Sequence, residues 1–251
     1  MKWNIDFISE TDFENHVENT INNYKDKLKP YDLSKFNKNI IDPIKLIFDK
    51  KIYNLSWEEI LKNEIFRQRD KANNNEIGYF HQNIFKYISG CEVPKAGWDV
   101  IYKTKNKTIY AEMKNKHNTM NSASSQKTYI KMQNEILQNI NSYCYLVEII
   151  SIDSQKKYWK ITLDGKKYEN DRIFKISIDK FYEEITGDSR AFYKICMVLP
   201  EIIDRIIVNK NILLPVDTVY SDIKQITDTK NISMIMAIYL LGFDKYIGFE
   251  N

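Results

Sequence analysis

Residues Gly97 to Lys116 read GWDVIYKTKNKTIYAEMKNK, and the reading of this stretch decides the fold. Trp98–Lys103 and Thr108–Lys114 are short runs rich in apolar and β-branched residues, separated by the polar turn Thr104-Lys105-Asn106-Lys107. The pattern predicts a β-hairpin. In its second strand Ile109, Ala111 and Met113 alternate with Tyr110, Glu112 and Lys114, so the last three share one face. Asp99 stands on the first strand, and pairing across the turn sets it beside Glu112.

Two neighbouring carboxylates repel, and one is driven towards its protonated form unless a cation lies between them. A divalent ion that prefers hard oxygen ligands, as Mg²⁺ does, removes the conflict. It also supplies what phosphodiester hydrolysis needs, a polarised phosphate and an activated water. Lys114 would then orient the water or offset developing negative charge. An acid and a lysine two apart on an exposed strand are common, and ExK alone decides nothing. The weight comes from Asp99, an isolated acid between Trp98 and Val100, and from the elements on either side.

Upstream, Phe7, Ile8, Val17, Ile21, Tyr24 and Leu28 predict a helix ending before Pro30, and Pro43 opens a short one through Phe48. Ser56-Trp57-Glu58-Glu59 is a capping box that starts a helix to about Asp70. Asn73-Asn74-Asn75 is expected to break it, and a separate amphipathic helix then carries Ile77, Phe80, Ile84, Phe85 and Ile88 and stops at Gly90. Downstream, residues 115–126 read as a polar loop, Lys127–Asn139 as a helix, and Tyr143–Ile150 (YCYLVEII) as a buried central strand. Tyr158–Leu163 and Ile173–Ile178 are further strands separated by a turn at Asp164-Gly165, and Asp179 is expected to cap a helix stopped by Gly187. A helix from Ser189 to Val208 should kink at Pro200, and two more follow, with Ile232–Leu241 the most apolar. Helix, hairpin, helix and strand in this order give a mixed α/β domain. The chain is expected to be a single nuclease domain: a helical extension over 1–57, a catalytic core over 58–180 and a helical region over 181–251.

Composition sets the boundaries. The chain carries only +3 overall, yet Lys95 to Lys131 holds eight lysines against two acids, a concentration suited to a polyanion. Its three cysteines, Cys91, Cys144 and Cys196, lack CxxC spacing, which argues against structural zinc or a disulfide framework; Cys144 and Cys196 sit in apolar runs and should be buried. The acidic N-terminus is unlike a signal peptide and no apolar run spans a bilayer, so a cytoplasmic protein without membrane contact is expected. There is no GxGxxG, GKS/T or GxSxG motif to support a small-molecule enzyme, and three scattered histidines make no HExxH site.

The order helix, D-x12-E-x-K hairpin, helix, strand resembles the PD-(D/E)XK nuclease superfamily. More narrowly, GYFHQNIFKYI, GWDVIY, AEMKNKHNTMNSASSQ and ISIDKFYEEITGDSRAFYKICMVLPEII are similar to type II restriction endonucleases cutting GGNCC or GGWCC sites, over roughly residues 60–205. That resemblance implies a restriction-endonuclease-like core with a mixed central sheet flanked by helices. It implies Mg²⁺-dependent cutting of both strands of double-stranded DNA at a short palindrome, and a DNA methyltransferase that protects the host. On matching positions Asp99 and Glu112 would bind metal and Lys114 would assist the water. Glu76, on the helix before the hairpin, would complete the metal site. Trp98 stands where the motif's name places proline.

Given that chemistry, the segment after the catalytic strand is the expected DNA contact. Lys116, His117, Asn118, Asn121, Ser122, Ser124, Gln126 and Lys127 offer donors to bases and phosphates. A palindrome mirrors a two-fold axis, so a homodimer is expected. The rivals are a repair or single-strand nuclease on the same scaffold, and a DNA-binding module whose acids are only structural.

Overall fold

A computed structural model describes residues 3–27, 29–39, 41–116, 120–163, 165–210 and 216–243. In chain order it holds helices α1 (Glu10–Lys27), α2 (Leu33–Asn37), α3 (Pro43–Ile52) and α4 (Trp57–Asn83), then a 3₁₀ turn over Ile84–Tyr87. Strands β1 (Cys91–Glu92), β2 (Val100–Lys103) and β3 (Thr108–Lys116) lead into helix α5 (Ser122–Gln138). Next come β4 (Ser142–Ile150), β5 (Lys156–Tyr158), β6 (Ile161–Leu163), β7 (Lys166–Tyr168) and β8 (Ile173–Ser177). Helices α6 (Ile178–Thr186), α7 (Ala191–Lys210), α8 (Val219–Lys230) and α9 (Met234–Phe243) close the chain.

The main sheet has six strands in the order β1-β2-β3-β4-β8-β5, and β6 and β7 pair as a separate two-stranded ribbon. Within the main sheet β1, β2 and β3 are antiparallel, β3, β4 and β8 are parallel, and β5 returns antiparallel on β8. The fold is thus mixed α/β with a mixed central sheet, as expected. The parallel strands explain the long apolar run of β4, which is covered on both faces.

Those faces differ. On one, Val100, Ile109, Ala111, Tyr145, Val147 and Ile176 pack with Phe13 and Val17 of α1, Phe85, and residues of α6 and α7 into the larger core. Phe85 anchors it, with ring centroids 5.2 Å from Phe181 and 5.0 Å from Tyr182. On the other face Cys144, Leu146 and Ile173 pack against Tyr129, Met132 and Ile136 of α5 and against Trp159. Strand parity assigns Tyr110, Glu112 and Lys114 to this second, α5-covered face.

The chain forms two compact units, one of residues 1–21 and 76–210 and the other of 22–75 and 211–251. This partition cuts across the three sequential segments expected, because the start of α1 and all of α7 belong with the sheet. The second unit is helical, with a core of Phe36, Leu46, Ile60, Leu61, Val219 and Ile238 among others. There Arg69 donates to both carboxylate oxygens of Asp217 (2.9 and 2.6 Å), which also accepts from the Tyr31 amide at 2.9 Å.

Several local expectations are corrected. Helix α4 does not break at Asn73–Asn75 but runs unbroken from Trp57 to Asn83. Asparagine costs a helix only a few tenths of a kcal/mol, and Asn74 regains part of that by donating to Asp70 one turn back at 2.9 Å. The capping box at its start is present: the Ser56 amide donates to Glu59 at 2.8 Å and the Glu59 amide to Ser56 Oγ at 3.2 Å. Helix α5 begins five residues before the expected Lys127, because Asn121 caps it, accepting from the Ser124 amide at 2.8 Å. Ser177 rather than Asp179 is the N-cap of α6; Asp179 lies in its first turn and accepts from Ser177 Oγ. Gly187 ends α6 with φ 75°, as expected. Pro200 lies inside a helix that continues to Lys210. The turn containing Gly165 (φ 77°) joins β6 to β7, a strand the sequence reading did not separate. All three cysteines are free; Cys144 is buried, whereas Cys196 is only half-buried. No helix among the described residues is long and apolar enough to cross a membrane.

His16 gives the larger core a pH dependence. It is 4% exposed, stacks on Phe80 with centroids 4.6 Å apart, and its Nε2 lies 2.9 Å from the Phe80 carbonyl, which fixes the proton on that nitrogen. Burial holds its pKa down from 6.5 to about 4; the carbonyl opposes this and Lys86 and His81 add to it. The unfolded chain therefore takes up a proton near pH 6.5 that the folded chain refuses until about pH 4. His16 contributes nothing to pH dependence above 6.5, and below it stability falls, by about 3 kcal/mol once pH 4 is reached. Urea unfolding of the wild type between pH 8 and 4 should show this loss together with that of His81, which burial also holds down to about 4; His16→Gln should make the profile shallower without abolishing it, and equal slopes would refute the assignment.

Candidate active site

Register brings the predicted pair together. Val100 pairs with Ala111, which sets Asp99 at the mouth of β2 opposite Glu112. The Asp99 amide donates to the Ala111 carbonyl at 3.1 Å. Its carboxylate accepts from the Met113 amide at 2.7 Å, clamping the acid against β3. Gln82 near the end of α4 donates to the Asp99 carbonyl at 3.2 Å.

Glu112 stands on β3 with its side chain 18% exposed and two ammonium groups on its carboxylate. Lys114 Nζ is 2.9 Å from Oε1, and Lys131 Nζ from α5 is 2.9 Å from Oε2. Lys131 also donates to the Gly97 carbonyl at 2.6 Å and lies 3.9 Å above the Trp98 ring. Trp98 is therefore a seat for that cation.

The two acids are pushed in opposite directions. Asp99 is raised above the usual carboxylate range by burial and then by the charge of Glu112, against the Met113 amide and the two lysines. Burial acts the same way on Glu112, but the hydrogen bonds from Lys131 and Lys114 outweigh it and hold that carboxyl low. This is the signature of two carboxylates crowded at one site, with one left short of positive charge. The donor set is all hard oxygen, and among the described residues the Met113 amide is the one group bonded to the Asp99 carboxylate. Two carboxylates of this kind fit a divalent cation such as Mg²⁺.

Neighbouring strands extend the row. Lys114 pairs with Glu148 of β4, so the two side chains stand side by side on the α5 face. Glu148 is 2% exposed and accepts from Lys175 of β8 at 3.2 Å and from Ser151 at 3.3 Å.

Glu76 is not brought into the cluster. Among the described residues no group of three or more His, Cys, Asp or Glu side chains is placed to hold a metal. The α4 face that meets the hairpin carries Gln82 and Gly78; a Cβ at Gly78 would lie 3.7 Å from Asn115 of β3. Glu76 is two residues from Gly78, about 200° around the helix and so on its far side. Of the expected DNA contacts, Lys116 ends β3, and Ser122, Ser124, Gln126 and Lys127 form the first turns of α5 rather than a loop, with Asn121 as its cap. His117 and Asn118 lie outside the described residues.

Sequence reasoning missed Lys131, Gln82 and Glu148. Glu148 carried a visible signal, a lone acid inside an apolar run, the same signal that singled out Asp99. Lys131 carried none, since its partners, Gly97 with Trp98 and Glu112, come from two other places in the chain.

Comparison with known proteins identifies the class. Residues 5–208 match the Eco47II restriction endonuclease family, and the chain belongs to it. It is 30% identical over 208 residues to the type II restriction enzyme Sau96I of Staphylococcus aureus, covering 80% of each chain. It is also 30% identical over 213 residues to the type II restriction enzyme Eco47II of Escherichia coli, covering 81% of this chain and 88% of that one. The protein is accordingly a type II restriction endonuclease, a site-specific deoxyribonuclease.

Lys131 can be separated from Lys114 by mutation. Lys131→Met removes one of the two counter-charges of Glu112, and single-turnover cleavage should slow roughly tenfold to a hundredfold. Lys131→Arg should recover part of the rate. Wild-type rates in the Met variant would show that Lys131 is only a surface cation.

Proposed function

We propose that the chain is a PD-(D/E)XK enzyme in which Asp99, Glu112 and Lys114 make the catalytic centre, acting as a homodimer on a short palindrome of the GGNCC kind. The carrying observation is the register that sets Asp99 opposite Glu112 while two lysines converge on Glu112. Asp99 and Glu112 are the residues that would hold the metal. When bound there, Mg²⁺ supplies positive charge that polarises the phosphodiester and eases proton loss from water.

The protein groups then have distinct tasks. The Met113 amide fixes one oxygen of Asp99 and keeps the carboxylate aimed at Glu112. Lys114 and Lys131 neutralise Glu112 while the site is without substrate. Released from it, their ammonium groups are placed to meet the negative charge that builds on the phosphate as the water oxygen bonds to phosphorus and the old P–O bond parts. Lys116, Asn121, Ser122, Ser124, Gln126 and Lys127, with His117 and Asn118 from the sequence reading, are the proposed contacts to double-stranded DNA. A methyltransferase that modifies the same site would protect host DNA. Two active sites related by a dyad match two scissile bonds on opposite strands.

Digestion of unmethylated phage DNA with Mg²⁺, followed by mapping of fragment ends, tests activity and specificity together. The expected result is a fixed set of double-strand ends at one palindrome, lost on chelation. Asp99→Ala and Lys114→Ala should each reduce cleavage at least hundredfold while retaining binding to a duplex that carries the site. Nicks scattered without sequence preference would favour a repair or single-strand nuclease, and no cutting at all would sink the catalytic assignment.

A further inference from the structure

The β6–β7 ribbon stands outside the main sheet, and the catalytic cluster uses none of it. It pairs Ile161 with Tyr168, Thr162 with Lys167 and Leu163 with Lys166. Ile161 and Leu163 pack on the α5-side core, which anchors the ribbon on the same side of the sheet as Glu112 and Lys114. Thr162 and Lys167 form the opposite, outward face and are exposed, as is Lys166 near the turn.

Two contacts tie the ribbon to the site. Gln126 in the first turns of α5 donates to the Thr162 carbonyl at 3.3 Å. Five residues further along the same helix is Lys131, on Glu112. At 1.5 Å per residue the ribbon's attachment and that catalytic-site cation are about 7.5 Å apart along the helix axis. At the ribbon's foot, Lys156, Lys157, Tyr158, Lys160, Phe174 and Lys175 line an open cleft of about 740 Å³. Lys175 in turn binds Glu148, the neighbour of Lys114.

The charge points the same way. Lys156 to Glu169 contains five lysines and two acids, a balance of +3 that equals the net charge of the entire chain. Lys156 and Lys160 are committed to Glu184 and Glu169. Among the described residues Lys157, Lys166 and Lys167 have no ion-pair partner. Exposed ammonium groups without a protein counter-charge are free to meet a polyanion.

We propose that the β6–β7 ribbon is a second DNA-contact element, in which Lys166 and Lys167 lie on backbone phosphates of the duplex held at Asp99 and Glu112. This rests on the nuclease reading of that centre. A two-stranded ribbon is of a size that a DNA groove admits, but lysine ends on its turn and outer face, with no Asn, Gln or Arg, suit phosphate contact and register rather than base reading.

Binding rather than cleavage separates this proposal from the catalytic one. Fluorescence anisotropy of a labelled duplex with the intact protein, without divalent metal, gives the slope of log affinity against log salt. The Lys166→Ala/Lys167→Ala double variant should bind more weakly and flatten that slope by about 1.8. Lys166→Arg/Lys167→Arg should keep it, and Lys224→Ala on α8 should leave it alone. A wild-type slope in the double alanine variant, with unchanged circular dichroism, overturns the ribbon proposal by itself. A wild type without salt-dependent duplex binding overturns the nuclease reading and the ribbon with it.

Discussion

The structure depends on the crowding of Asp99 against Glu112. Strand pairing between β2 and β3 leaves the two acids no room to separate, because the Asp99 backbone is bonded to Ala111 and its carboxylate to the Met113 amide. A part-buried pair of anions is unfavourable, so positive charge must be carried to it from elsewhere. Lys114 arrives from the same strand, two residues on. Lys131 arrives from α5, and it reaches Glu112 only because Trp98 and the Gly97 carbonyl hold its ammonium in place. Helix α5 is therefore more than a cover for the sheet. Its apolar face fixes the core, and its edge delivers a charge to the centre.

The same crowding explains why the two faces of the sheet are so unlike. The face built on Phe85, Tyr145 and Phe181 is closed and aromatic, with charge only at its edge, where Lys156 lies over the Tyr145 ring. The other face becomes polar towards the C-terminal ends of the parallel strands, where Lys114, Glu148 and Lys175 stand in successive strands. One side thus supplies rigidity, and the other uses it to hold groups that would otherwise move apart.

What was legible in the sequence followed from short-range rules. The hairpin, its alternation and the D-x12-E-x-K spacing were readable because strand parity is local, and the capping box at Ser56 because it spans four residues. What was not legible depended on competition or on distance. Three consecutive asparagines looked like a break, yet helix propensity is a weak force beside the burial on either side of them. Asn121 looked like part of a loop because its capping bond to the Ser124 amide needs no apolar pattern to announce it. Lys131 could not be read at all, since an ordinary lysine becomes part of the site only when Gly97, Trp98 and Glu112 are gathered around it. Glu148 is the instructive miss. It sat in an apolar run as Asp99 did, but no second acid or lysine at fixed spacing drew attention to it.

The family relationship bears unevenly on these parts. It secures restriction-endonuclease activity for a chain that matches from residue 5 to residue 208. Strand register, which depends on this chain's own residues, gathers the groups on which that activity would act. The charge distribution sharpens the point. A net charge of +3 is too small to hold a duplex by itself. The acids that cancel the remaining lysines are largely spent in ion pairs, such as Glu184 with Lys107 and Lys156, and Glu148 with Lys175. The cations left over matter because of where they stand. Those on the ribbon are tied through Gln126 to the helix that carries Lys131, so the proposed phosphate track can begin there without any large excess of positive charge over the protein as a whole.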